Sequence, residues 1–125
     1  MIKFYNSNIN KEVVIFLRKI VNKKLSPKSA FEIYKLSLEM ENIFKAKVAT
    51  EINIFNKYGK TGDDGKKHIN PEDVKQFQAD MTELNSIEHT IELEKIELNV
   101  TKNLFVEEIS ADTIHNVSFL FTFVE

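Results

Sequence analysis

Five basic residues lie close together between positions 18 and 28 of this 125-residue chain. They are Arg18, Lys19, Lys23, Lys24 and Lys28. Positive charge grouped in this way can hold a phosphate-bearing ligand or an acidic partner. The bidentate geometry that makes phosphate sites specific needs arginine, and Arg18 is the single arginine of the chain. We therefore treat the five as a candidate ligand-binding cluster, with a solvated basic surface as the alternative.

A polar loop at 59–68 holds all three glycines and matches two known site motifs only in part. With Gly65 at the sixth position of a calcium loop, Asp64 is the one plausible ligand. The Gly-Lys-Thr sequence of residues 59–61 matches the end of a phosphate-binding loop. The earlier glycine is missing, however, and the segment ends a helix instead of following a strand. We expect the tip of a hairpin here, or a contact loop for a partner.

The remaining polar residues predict neither a metal site nor a catalytic set. The histidines, His68, His89 and His115, have no ligand spacing, and the chain has no cysteine. Glu92 and Glu94 alternate with apolar residues, which is typical of the solvent face of a sheet rather than of a general acid–base pair. We predict no metal, no cofactor and no enzymatic activity.

An uninterrupted helical segment from Ser26 to Tyr58 connects the basic cluster to the polar loop, so it determines where both lie. Ser26 suits the N-cap, Pro27 suits the first helical position, and Gly59 follows the end of the segment. At about 1.5 Å per residue, this helix is about 50 Å long. A compact domain of this chain length is roughly 36 Å across. The helix therefore overhangs its domain or bends, and we expect an overhanging apolar helix to have a partner.

Apolar side chains form two stripes on this helix, so we expect its own chain or a second copy to cover it on more than one side. The first stripe is Ile33, Ser37, Met40, Phe44, Val48, Ile52 and Phe55, and the second is Leu36, Ile43, Ala46 and Ile54. Three phenylalanines near the end of the chain either pack in the core or line an interface between copies. We predict a homo-oligomer whose interface contains Ile33, Met40, Phe44, Val48, Phe55, Phe119, Phe121 and Phe123.

The other segments predict shorter elements around the long helix. A short N-terminal strand precedes a helix capped by Asn10, and a helix capped by Asn70 packs antiparallel on the long one as a hairpin. Apolar and charged residues alternate at 91–100 in two phases, which predicts strands separated by a bulge or turn, and Ser110 caps a last helix. We expect a single domain over 1–125 with an α+β fold. Its parts are a long helical hairpin, a shorter N-terminal helix, a small antiparallel sheet and a C-terminal helix.

Composition and charge indicate a globular protein without general affinity for membranes or nucleic acid. The chain is 42% hydrophobic and 29% charged, with a net charge of −2. Residues 1–60 carry 12 Lys or Arg and 5 Asp or Glu, whereas residues 61–125 carry 5 and 14. The two halves neutralise each other when packed, or they form a bipolar surface that steers association. Without an apolar run of about 20 residues or a signal-like start, we expect a cytoplasmic protein.

Motifs spread over most of the chain resemble those of a group of small, uncharacterised phage and prophage proteins of Gram-positive bacteria. In order, they are MIKFYNSNINK at the start, AFEIYKL in the long helix, NKYG at its end, DDGKKHINPEDVKQF, TELNSIEHTIELEKIEL and EISADTI. Phe119, Phe121 and Phe123 depart from the more aliphatic residues expected there. The resemblance implies a phage origin, an accessory role in an infected or lysogenic bacterial host, and no established catalytic residues to carry over.

These observations favour a function by binding. We expect a non-enzymatic phage accessory protein that inhibits host antiviral defence, either by occupying a defence protein or by sequestering a nucleotide signal. The alternative is an assembly factor or chaperone for the phage head or tail. A small hydrolase or nucleotide-processing enzyme is the third hypothesis.

Overall fold

The computed structural model describes residues 1–21, 23, 25–99 and 110–124. The helices are α1 (Lys11–Ile20), α2 (Pro27–Tyr58), α3 (Val74–Asn85) and α4 (Ala111–Val117). The strands are β1 (Ile2–Tyr5), β2 (Gly59–Thr61), β3 (Lys67–Ile69), β4 (Glu88–Ile91), β5 (Ile96–Asn99) and β6 (Phe121–Val124), and a 3-10 turn (Asn6–Asn8) follows β1. The fold is α+β, as predicted, with a long helix, a shorter N-terminal helix and a C-terminal helix.

Local hydrogen bonds explain where the helices begin. The side chains of Asn10, Ser26 and Ser110 each accept a hydrogen bond from the backbone amide three residues later, at 3.0–3.2 Å. Each satisfies an amide that the first turn of a helix leaves unpaired. α3 begins at Val74, later than the predicted cap at Asn70, because the Asn70 carbonyl accepts a backbone hydrogen bond of 2.9 Å that holds the chain in a turn.

Three two-stranded ladders accompany the helices in the described part of the chain. β1 pairs antiparallel with β4, and β2 and β3 form an antiparallel hairpin between α2 and α3. Gly65, at the tip of this hairpin, has a φ of +77°, which suits glycine because it has no Cβ. β5 and β6 pair in parallel, with Ile96 opposite Phe121, in addition to the predicted antiparallel sheet. Their connection includes α4, and a long crossover with a helix is what parallel pairing requires.

The hydrophobic core lies among α1, the first half of α2, α4 and the strands β1, β5 and β6. Its fully buried side chains include Phe4, Leu17, Ile33, Leu36, Met40, Leu98 and Leu120. The buried residues of α2 lie between Ile33 and Met40, apart from Tyr58 at the end of the helix. The second half of α2 therefore runs beyond the core, where α3 packs on it as the second arm of a helical hairpin. On both halves of α2, the side that faces away from these contacts is left in solvent.

Candidate interaction surface

Five large apolar side chains of α2 are exposed. They are Phe31 (65% exposed), Tyr34 (54%), Leu38 (49%), Ile52 (54%) and Phe55 (36%). With 3.6 residues per turn, Phe31 and Leu38 lie on the side of the helix opposite the buried Met40. Burial of the core-facing side thus leaves a second apolar side of the same helix in water.

Three further residues lie on this side, between the two exposed apolar groups. They are the half-buried Glu41 and Val48 and the exposed Lys45. From Phe31 to Phe55 the positions advance in alternating steps of three and four residues, which is the spacing of a coiled-coil seam. We call this set the outer face: Phe31, Tyr34, Leu38, Glu41, Lys45, Val48, Ile52 and Phe55. Exposed apolar side chains grouped on one side of a helix mark an interaction site, in contrast to scattered single residues.

Two residues of opposite charge, Glu41 and Lys45, lie at the middle of the outer face and separate its two apolar groups. The Arg18 guanidinium, on α1, donates a hydrogen bond to the Glu41 carboxylate. This bond lowers the pKa of Glu41, and the positive charges of Arg18 and Lys45 lower it further against the opposing effect of burial. Glu41 is consequently held as an anion at neutral pH beside the exposed cation of Lys45.

The apolar surface widens where α3 packs beside the end of the outer face. A groove of about 410 Å³ between the two helices is lined by Val48, Glu51, Ile52, Phe55, Phe77 and Met81. Val48, Ile52 and Phe55 belong to the outer face as well, so face and groove form one continuous surface. Its lining is apolar except for Glu51.

The described residues of the predicted ligand-binding cluster differ in their contacts and burial, and the structure does not bring them together in one site. Arg18 is engaged by Glu41, Lys19 is exposed, Lys23 is half-buried, and Lys24 lies outside the described residues. Lys28 lines a cleft of about 490 Å³ between the start of α2 and the end of β4. Three acidic residues, Glu32, Glu39 and Glu92, line the same cleft. Its mixed charge does not fit a site dedicated to phosphate.

The predicted interface residues of α2 also differ, because some are buried in the core and others lie on the outer face. Ile33 and Met40 are fully buried in the chain's own core, so neither lies on the surface of the single chain, and Phe44 is half-buried against that core. The periodicity of α2 predicted two apolar stripes but not which of them the rest of the chain covers. Val48 and Phe55 lie on the outer face. The exposed Phe31, Tyr34 and Leu38 were not predicted, although their i, i+3, i+7 spacing is a signal that could have found them.

The three terminal phenylalanines pack within the chain. Phe119 lies 5.4 Å from Phe4 between ring centroids. Phe121 is buried, and both it and Phe123 contact the ring of Phe16 on α1, at 5.7 and 6.3 Å. These edge-to-face contacts stabilise the parallel pair of strands against α1. Phe121 thus belongs to the core, and Phe119 and Phe123 pack against it while partly exposed. A role for these residues between copies stays a prediction.

Asp64 and His68 in the polar loop, and His89 on β4, make contacts that stabilise the fold. Asp64 accepts a hydrogen bond from the Lys66 amide and another from His68, each at 3.0 Å, which tightens the hairpin tip. The Lys66 bond is the main cause that lowers the pKa of Asp64. His89 stacks on Phe4 at 5.2 Å. Among the described residues, no group of three or more histidine, aspartate or glutamate side chains could hold a metal ion.

Comparison with known proteins identifies no relative of this chain. No protein-family model, no curated protein and no solved structure matches the chain. In the described part of the chain, no helix is both long and apolar enough to cross a membrane.

Proposed function

We propose that this protein acts by binding another protein, and that the outer face of α2 is the surface through which it associates. The observation that carries the proposal is the exposure of five large apolar side chains on one side of a single helix, from Phe31 to Phe55. Covering apolar area yields about 25 cal/mol per Å². The outer face therefore supplies free energy for association that the isolated chain leaves unused.

The perturbed ionisable groups support a role without catalysis. In the described residues, the hydrogen bonds and ion pairs around Glu41, Asp64 and Asp80 lower the pKa of each carboxyl, and those around Lys57 raise the pKa of its ammonium. All four shifts favour the charged form. A general acid or base needs a pKa close to the working pH, so these groups fit structural ion pairs better than proton transfer.

The biological role that we propose is inhibition of host antiviral defence by occupation of a defence protein. It rests on the resemblance to phage and prophage proteins. A protein target is favoured over a nucleotide signal because the exposed surface is apolar, and because Arg18 of the basic cluster is already engaged by Glu41. Apolar surface contributes to protein association, whereas a nucleotide requires cations and bidentate donors.

Plating of phage on bacteria that carry a panel of defence systems tests this role. We expect the wild-type protein to restore plating against at least one system. The outer-face variant Leu38→Asp/Ile52→Asp is expected to lose this effect, because two carboxylates oppose burial of the face. The matched control is Ala46→Asp/Asn53→Asp, which adds the same charge at exposed positions of α2 away from the face. An outer-face variant as active as the wild type would contradict the proposal.

A further inference from the structure

The sequence positions of the outer face are arranged symmetrically about position 43, which is Ile43. Each of its residues has a counterpart at the same distance in sequence on the other side of this point. The pairs are Phe31 with Phe55, Tyr34 with Ile52, Leu38 with Val48, and Glu41 with Lys45. Three pairs join apolar residues, and the innermost pair joins opposite charges. Such a pattern is self-complementary when the helix is turned end to end.

A two-fold axis perpendicular to α2 at the level of Ile43 would bring these counterparts together between two copies. In an isologous contact, residue i meets residue j and residue j meets residue i. Glu41 of each copy would therefore meet Lys45 of the other, giving two opposite-charge contacts. A parallel, in-register pair would instead place Glu41 on Glu41 and Lys45 on Lys45, which is repulsive. The charges thus select the antiparallel arrangement.

We infer that the occupant of the outer face is a second copy of this chain, with the two α2 helices packed antiparallel about a two-fold axis at the level of Ile43. The inference rests on the proposed function, which assigns the outer face as the surface of association. The second copy covers the face in the free protein, and a defence protein binds the same face by displacing that copy. It replaces the buried Ile33 and Met40 of the sequence prediction with exposed residues. The alternating steps of three and four residues fit knobs-into-holes packing along about 36 Å of helix.

Arg18 is compatible with this arrangement. It donates to Glu41 from α1 of the same chain, and a carboxylate accepts several hydrogen bonds, so Lys45 of the second copy can approach the same group. Glu41 is kept in position by Arg18 before the copies meet. The Glu41 carboxylate is therefore already ordered as a hydrogen-bond acceptor for Lys45 of the second copy.

Cysteine cross-linking tests the geometry, because the chain has no cysteine of its own. In the antiparallel dimer, position 38 of one copy faces position 48 of the other. We expect the double variant Leu38→Cys/Val48→Cys to form a covalent dimer on oxidation. Each single variant is the control, because two copies of position 38 are about 15 Å apart along the axis. A disulfide needs Cα atoms within about 7 Å.

Two results would overturn the inference: a covalent dimer from Leu38→Cys alone, which indicates parallel helices, and no covalent dimer from the double variant. The plating assay separates this failure from failure of the proposed function. If the double variant does not cross-link but Leu38→Asp/Ile52→Asp loses activity against a defence system, the face binds a different protein and the proposed function stands. If the cross-link forms and that variant stays active, the dimer stands and the proposed function fails.

Discussion

Asp80, on α3, joins the two arms of the helical hairpin through hydrogen bonds to two side chains of α2, and it also bonds Gln76 of its own helix. Its Oδ2 accepts from the Tyr58 hydroxyl at 2.6 Å and from Lys57 Nζ at 3.3 Å, and its Oδ1 accepts from Gln76 Nε2 at 3.2 Å. The Tyr58 bond is the main cause that lowers the pKa of Asp80, and the Lys57 bond adds to it. The ionised carboxylate thus stabilises the folded hairpin.

This lowered pKa predicts a dependence of stability on pH. A carboxyl with a lower pKa when folded contributes stability above its unfolded pKa of about 4 and loses it as the pH falls through the folded value. Asp80→Asn should therefore lower the free energy of unfolding at pH 7, and the difference from wild type should shrink in acid. Urea unfolding across this pH range measures it.

The control for this experiment is Asp63→Asn, the same change at an exposed loop position. It should leave the free energy of unfolding nearly unchanged at neutral pH. A difference between wild type and Asp80→Asn that is as large in acid as at pH 7 would contradict the assignment. Sequence reasoning did not find Asp80, because its partner Tyr58 lies 22 residues away across the hairpin.

At the scale of elements, the buried side chain of Asn6 connects the helical hairpin to the core. Its Nδ2 donates to the Leu84 carbonyl at the end of α3, at 2.8 Å. Its Oδ1 accepts from His89 Nε2 on β4 at 2.6 Å, because an amide oxygen has no proton to donate. Lys47 of α2 donates to the Asn6 backbone carbonyl at 3.0 Å. One residue thus contacts three elements.

Asn6→Ala is expected to destabilise the protein by about 1–3 kcal/mol, because the Leu84 carbonyl and His89 lose a partner in a buried site. Hydrogen exchange should accelerate in α3 more than in α1, since α3 is the element that Asn6 attaches. Urea unfolding and amide exchange measure the two effects. The control is Ser7→Ala in the same turn, which is exposed and should change the stability by at most about 0.5 kcal/mol. Equal stability of the two variants would contradict this role for Asn6.

The elements differ in how far the sequence could predict them. Three helix starts were predicted because capping by Asn10, Ser26 and Ser110 is local. The parallel pairing of β5 with β6 was not predicted, since it depends on a crossover whose path no local pattern encodes. On α2, periodicity indicated surplus apolar surface, but only the packing of α1 and the strands decides that Ile33 is buried and Phe31 is exposed.

At the scale of the whole molecule, ion pairs connect the basic first half of the chain to the acidic second half. Lys3 pairs with Glu88, the N-terminal amine with Glu94, and Lys57 with Asp80. These contacts favour mutual neutralisation, the first of the two explanations for the uneven charge. Steering by a bipolar surface is therefore not needed for the association that we propose, and the apolar outer face is the stronger candidate for its driving force.

Light scattering on a sizing column tests the association of the outer face most directly. We expect the wild type to have twice the chain mass of 14.5 kDa. Leu38→Asp/Ile52→Asp should have the mass of one chain while its circular dichroism stays that of the folded protein, and the control Ala46→Asp/Asn53→Asp should remain a dimer. A wild type with the mass of one chain, or an outer-face variant that is still a dimer, would contradict the account.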